Sequence, residues 1–242
     1  GLPALRARGV ACRITDAVSA RRAEQALWAS LTSASDGFVD RVFNRPCGRV
    51  LSKVLVHTPV SPNAVSLISI GIGLVAAGLF AVGNHPTAVC AAVLFQLSAI
   101  VDCVDGDLAR VLFKESALGK WLDLAGDQVV HVAVFAAIAA GCARSGQLPS
   151  ALWLGLSAVA GALLSFAVIV RGMKRPARDR SRLLQKLIDS ATNRDFSVLV
   201  LLLACVNRLD WFLWMAAIGS HLFWMVALAL QAGSRGKDRS VA

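Results

Sequence analysis

The stretch Asp102-Cys103-Val104-Asp105-Gly106-Asp107-Leu108-Ala109-Arg110, followed after eight residues by Gly119 and then by Asp123 and Asp127, sets four aspartates at fixed intervals inside an apolar chain. An ionised carboxylate at the centre of a bilayer costs roughly 2.5–3.5 kcal/mol on insertion scales, and several close together repel one another unless cations sit between them. Asp102 and Asp105 are three residues apart and Asp123 and Asp127 four apart. On a helix of about 3.6 residues per turn, each pair therefore shares one face. Two such helices facing each other converge four carboxylates, which predicts a metal site. Hard oxygen ligands in that number suit Mg²⁺ or Mn²⁺, and no Cys/His grouping offers the softer site zinc prefers.

The surroundings of this quartet set its architecture. The chain has 242 residues, is 56% hydrophobic and carries a net charge of +10, with a mean hydropathy of +0.63. A soluble domain of this length is not so apolar, so the expected class is an all-α polytopic membrane protein with basic rims. Hydropathy predicts about six transmembrane helices, near residues 63–82, 86–106, 117–141, 149–170, 195–207 and 211–231, the fifth short for a full span. The six cysteines form no CxxC pair, and most of them, sitting in apolar helices, are expected to be small packing residues.

Charge fixes the expected orientation. Arg41, Arg45, Arg49 and Lys53 precede the first span, Arg110, Lys114 and Lys120 lie between the second and third, and Arg171 to Arg182 carries six basic residues after the fourth. The alternate loops hold only Arg144 and Arg208, so the positive-inside rule puts both termini and the aspartates on the cytoplasmic side. Trp153, Trp211 and Trp214 fall at the opposite ends of their helices, as an interfacial belt requires. Basic residues sorted by membrane side rather than along a soluble face exclude a nucleic-acid partner; the lipid bilayer is the expected one.

Residues 1–56 form an N-terminal cytoplasmic or interfacial segment and 57–242 the transmembrane domain. Arg49-Val50-Leu51-Ser52-Lys53-Val54-Leu55 alternates basic and apolar residues at helical spacing. That pattern suits an N-terminal amphipathic interfacial helix on anionic lipid, or a helix packed on the core. Near the helix end after Asp105, Arg110 is placed to hold phosphate, while Gly106 and Ala109 keep the intervening surface small. Asp107 and Glu115 are expected to face the loop and be solvated. His131, four residues after Asp127, either orients that carboxylate or packs.

The string Asp102-x2-Asp105-Gly106-x2-Ala109-Arg110-x8-Gly119-x3-Asp123-x3-Asp127 resembles the signature of the CDP-alcohol phosphotransferases at every fixed position. The resemblance implies a membrane enzyme with two divalent cations that takes a CDP-alcohol donor, transfers the phospho-alcohol to an acceptor hydroxyl and releases CMP. It also implies a homodimer. By analogy Asp102, Asp105, Asp123 and Asp127 share the metals, and Asp127 is also the catalytic base. Asp105, Gly106, Ala109, Arg110, Ser116 and Gly119 then belong to the CDP-substrate site. Ser61-Pro62-Asn63-Ala64-Val65-Ser66 is an ordinary helix start that also resembles the family's Pro-Asn-x-Val-Thr stretch, which implies nucleotide contacts from Asn63 and Ser66. Arg171 and Arg194 are the acceptor-phosphate candidates, alongside their plainer role as positive-inside charge.

A second resemblance lies in Ile14-Thr15-Asp16-Ala17, in Ala23 to Leu31 and in Asp36-Gly37-Phe38. These are similar to the join in bifunctional enzymes that fuse an inositol-phosphate cytidylyltransferase to a di-myo-inositol phosphate phosphate synthase. They imply that residues 1–35 are the tail of a nucleotidyltransferase domain, which suits a chain beginning with Gly rather than Met. They also imply inositol phosphate as acceptor. The alternative within the class is a phospholipid synthase using CDP-diacylglycerol and a head-group alcohol. A cation carrier is the different-class alternative, but the sequence lacks the internal repeats and broken helices that carriers show. Ala158, Gly161 and Ala162 offer a small-residue helix-packing face in the fourth span.

Overall fold

The computed structural model describes residues 12–31, 37–174 and 196–239, the side chains of 232–239 excepted. Among them every regular element is helical. Helix α1 (Ala17–Ser30) is capped by Asp16, whose carboxylate accepts from the Ser19 amide at 2.7 Å while the Ser19 hydroxyl accepts from the Asp16 amide. A π-helical turn, Asp40–Asn44, runs straight into α2 (Arg45–Leu55). Then come α3 (Pro62–Phe80), α4 (His85–Val111), α5 (Ala117–Arg144), α6 (Ala151–Met173), α7 (Phe196–Cys205) and α8 (Leu209–Arg239).

Helices α3, α4, α5, α6 and the part of α8 to Gln231 are 19 to 28 residues long and apolar enough to cross a membrane. The fifth expected span corresponds to α7, which has ten apolar residues. What precedes it, including Arg194 and the basic residues from Arg175 on, lies outside the described residues. Phe196 anchors α7, its ring 5.6 Å from Phe95 of α4, 5.9 Å from Phe135 of α5 and 5.9 Å from Phe212 of α8.

The bundle has two halves. Helix α3 packs on α4 and α5, α6 packs on α5 and α8, and the main core of Phe80, Phe95, Val130, Val134, Ile138 and Leu213 lies between them. Close approach of α3 and α5 depends on Gly126, where a Cβ would overlap the Ile70 side chain. The small-residue face of α6 is used inside the chain. Ala158 and Gly161 are buried, and a Cβ on Gly161 would overlap Ser220 of α8.

Helix α2 packs on the core along one side and leaves apolar residues exposed on the other. Gly48 and Ser52 of α2 are buried on the side toward α4, whereas Val50, Leu51 and Val54 are exposed as an apolar stripe. A buried polar chain pins the preceding turn: the Asn44 amide donates to Asp40 at 2.7 Å and accepts from Gln96 of α4. Since a buried amide is costly unless bonded, these partners fix where the turn sits on α4.

Candidate active site

The site lies where α3 and α5 begin and α4 ends. Ser61 caps α3, its hydroxyl accepting from the Ala64 amide at 3.2 Å, and Pro62 occupies the first helical position. Ser116 caps α5, accepting from the Gly119 amide at 2.9 Å. Helix α4 stops after Val111, and Phe113 takes the left-handed conformation at φ 54° in the turn that follows.

Three of the four aspartates converge. Carboxylate oxygens of Asp102, Asp123 and Asp127 lie within 4.8 Å of one another, with Asp123 exposed, Asp102 half-buried and Asp127 buried. Like charges so close favour a cation among them, and an all-oxygen donor set fits a hard divalent ion. Asp105 stands beside this trio. It is buried, and its carboxylate accepts a hydrogen bond from Ser66 of α3. Ser69, one turn further along α3, has its hydroxyl 3.3 Å from Asp102 and donates to the Ser66 carbonyl at 2.9 Å. One face of α3 therefore carries a hydroxyl for each of the two α4 acids.

A cavity of about 180 Å³ opens beside the trio. Asn63, Ser66, Asp105, Gly106, Ala109, Arg110, Ser116 and Gly119, the eight residues expected to meet the CDP substrate, all line it. Asp123 lines it too, joining cavity and carboxylates into one site. Gly119 lets the walls meet: a Cβ there would sit 3.1 Å from Asn63 Oδ1. The Arg110 Nε is buried without a hydrogen-bond acceptor among the described residues. Such an orphaned donor on a cavity wall suits an anionic ligand.

Sequence comparison matches residues 59–232 to CDP-alcohol phosphatidyltransferase. The chain belongs to that family. The bifunctional IPC transferase and DIPP synthase of Rubrobacter xylanophilus is 35% identical over 137 residues, covering 57% of this chain and 29% of that protein. Its namesake from Archaeoglobus fulgidus is 28% identical over 202 residues, covering 81% of this chain and 38% of that protein. The phosphatidylinositol phosphate synthase of Corynebacterium glutamicum is 32% identical over 102 residues, covering 42% and 46%. The chain thus matches less than half the length of each of these relatives.

One side-chain environment differs from the expectation. Asp107 is not solvated: its side chain is 0% exposed, and Oδ1 accepts from Arg45 Nη1 of α2 at 3.2 Å and from Arg110 Nη2 at 3.3 Å. Two residues along a helix is about 200° of rotation, so Asp107 turns away from Asp105 and toward α2. Its three-residue spacing from Arg110 was the available signal. Glu115 is exposed as expected, yet it lines the cavity with Lys114 and Lys120, whose charges had only a membrane-side meaning in the sequence. His131 packs, 4.9 Å from the Phe196 ring and 6.4 Å from Phe135. Arg171 is exposed on the last turn of α6 and does not line the cavity.

Proposed function

We propose that this chain transfers a phospho-alcohol from a CDP-alcohol to an acceptor hydroxyl with release of CMP, and that the donor is CDP-inositol and the acceptor inositol phosphate. The observation that carries the reading is the cavity in which all eight expected donor residues meet beside the carboxylate trio. The relatives named for DIPP synthesis support the acceptor class.

The donor lies in the cavity with its pyrophosphate against Arg110 and Ser116, while Gly106, Ala109 and Gly119 leave room for the nucleotide and Asn63 contacts it. Asp102, Asp105, Asp123 and Asp127 would hold two divalent cations, Mg²⁺ or Mn²⁺, which would supply neutralisation of the phosphate and leaving-group charge. Asp127, the buried member of the trio, takes the proton of the acceptor hydroxyl. The hydroxyl oxygen bonds to the phosphorus bearing the alcohol, that phosphorus loses its bond to the CMP oxygen, and CMP departs with the electron pair. Ser66 and Ser69 hold the α4 carboxylates in place throughout. Arg171, and Arg194 beyond the described residues, bind the acceptor's phosphate.

Both termini and the site face the cytoplasm, where CDP-activated substrates are made. Trp153, Trp211 and Trp214, exposed at the starts of α6 and α8, support that arrangement as the opposite interfacial belt. The chain works as a homodimer, and residues 1–35 are the tail of a nucleotidyltransferase domain.

A second reading has a specific observation in its favour. Ala117, Trp121, Leu124, Val170 and Met173 line an apolar groove of about 280 Å³ between α5 and α6, and Lys120 lines both this groove and the donor cavity. Such a groove suits an acyl chain, and hence CDP-diacylglycerol as donor. Purified protein in Mg²⁺, given CDP-inositol or CDP-diacylglycerol with inositol phosphate or a head-group alcohol, decides between them by CMP release. Turnover only with CDP-diacylglycerol overturns the first reading.

A further inference from the structure

The buried carboxylate of Asp107 touches neither the cavity nor the aspartate trio, yet it holds two arginines through a single oxygen. One of these, Arg110, lines the donor cavity. The other, Arg45, is 13% exposed and belongs to α2, the helix outside the transmembrane bundle. Arginine has many rotamers to lose, so a guanidinium fixed at one nitrogen meets a ligand with less entropy left to give up. Two arginines on one carboxylate leave one net positive charge, so Arg110 is oriented without being neutralised. Its Nε remains buried and unbonded.

We infer that Asp107 is a positioning residue for donor binding. It holds the Arg110 guanidinium in the orientation that receives the CDP pyrophosphate, and Arg45 ties that orientation to the seating of α2 on α4. The inference rests on the proposed role of Arg110 at the donor, and it assigns a task to the N-terminal helix that reaches the nucleotide without contacting it.

The test is titration of purified full-chain protein with CDP in Mg²⁺, which reads the dissociation constant per folded site. Loss of folded protein lowers the stoichiometry and leaves that constant unchanged, so a merely structural role is separated from a positioning one. Asp107→Asn is expected to weaken CDP binding about tenfold, Arg45→Gln about threefold, and Asp107→Asn to add nothing in an Arg110→Ala background. Arg110→Ala is the control. If it weakens CDP binding while Asp107→Asn does not, or if Asp107→Asn costs the same factor with Arg110 absent, positioning is overturned and the donor role of Arg110 stands. If Arg110→Ala leaves CDP binding unchanged, the donor reading of Arg110 fails and the inference goes with it. Should Asp107→Asn not yield folded protein, Arg45→Gln decides alone, and unchanged CDP affinity in that variant rejects the coupling to α2.

Discussion

The Ser66 hydroxyl, on the second turn of α3, donates to the Asp105 carboxylate of α4, both groups being buried. A hydrogen bond to a charged group contributes about 1.5–3 kcal/mol, part of which water restores when the partner is removed. Ser66→Ala is therefore expected to lower kcat/KM for the CDP donor about tenfold, and Ser66→Thr to retain most of it. Steady-state CMP release across donor concentrations checks this. Equal activity in the alanine variant refutes a role for the hydroxyl in holding Asp105.

Asp127→Asn keeps the shape of the buried carboxylate and removes its ability to take a proton. Turnover is expected to fall at least about a thousandfold while CDP binding persists. Single-turnover assays beside CDP titration separate the two quantities. Retained turnover rejects Asp127 as the base.

Convergence of Asp102, Asp123 and Asp127 predicts a strict need for a divalent cation. Chelation is expected to abolish activity, and Mg²⁺ or Mn²⁺ to restore it. Asp123→Ala, at the exposed edge of the trio, is expected to raise the Mg²⁺ concentration for half-maximal activity about tenfold or more. Full activity in a metal-free assay contradicts this account.

At Gly119 a Cβ would press against Asn63 Oδ1 across the cavity rim. Gly119→Ala is expected to raise donor KM several-fold, about threefold to tenfold, with a smaller effect on kcat. Gly126→Leu tests packing instead. It wedges α3 from α5 at Ile70 and is expected to destabilise the detergent-solubilised protein by about 1–3 kcal/mol, read as a fall in Tm.

The aspartate spacing and the apolar runs were legible because both are local. Period and motif spacing put the four acids at adjoining ends of two helices, and the family resemblance pointed to the eight residues that meet around one cavity. What stayed hidden depends on contacts between distant segments. Asp107 looked solvated because a charged residue near a helix end usually is, and only the docking of α2 supplies Arg45 to bury it. Asp40, Asn44 and Gln96 carry no spacing that reveals their chain of bonds, since the partners come from different elements. The packing face of α6 was legible as small residues, but its partner, α8, was not. The division of the acids into a trio and a neighbouring Asp105 likewise required the side chains in place.

Among the described residues, every one that lines the cavity, and every member of the carboxylate trio, comes from the run Pro62 to Asp127, helices α3 to α5. Chain closure over such short separations is entropically cheap and fast. The catalytic end can therefore take shape while α6 to α8 are still being synthesised. The later helices then serve as a buttress: α6 against α5, and α7, through Phe196, against α4 and α5. Since the described lining takes no side chain from α6 to α8, changes in those helices reach the cavity only through the packing that supports its walls.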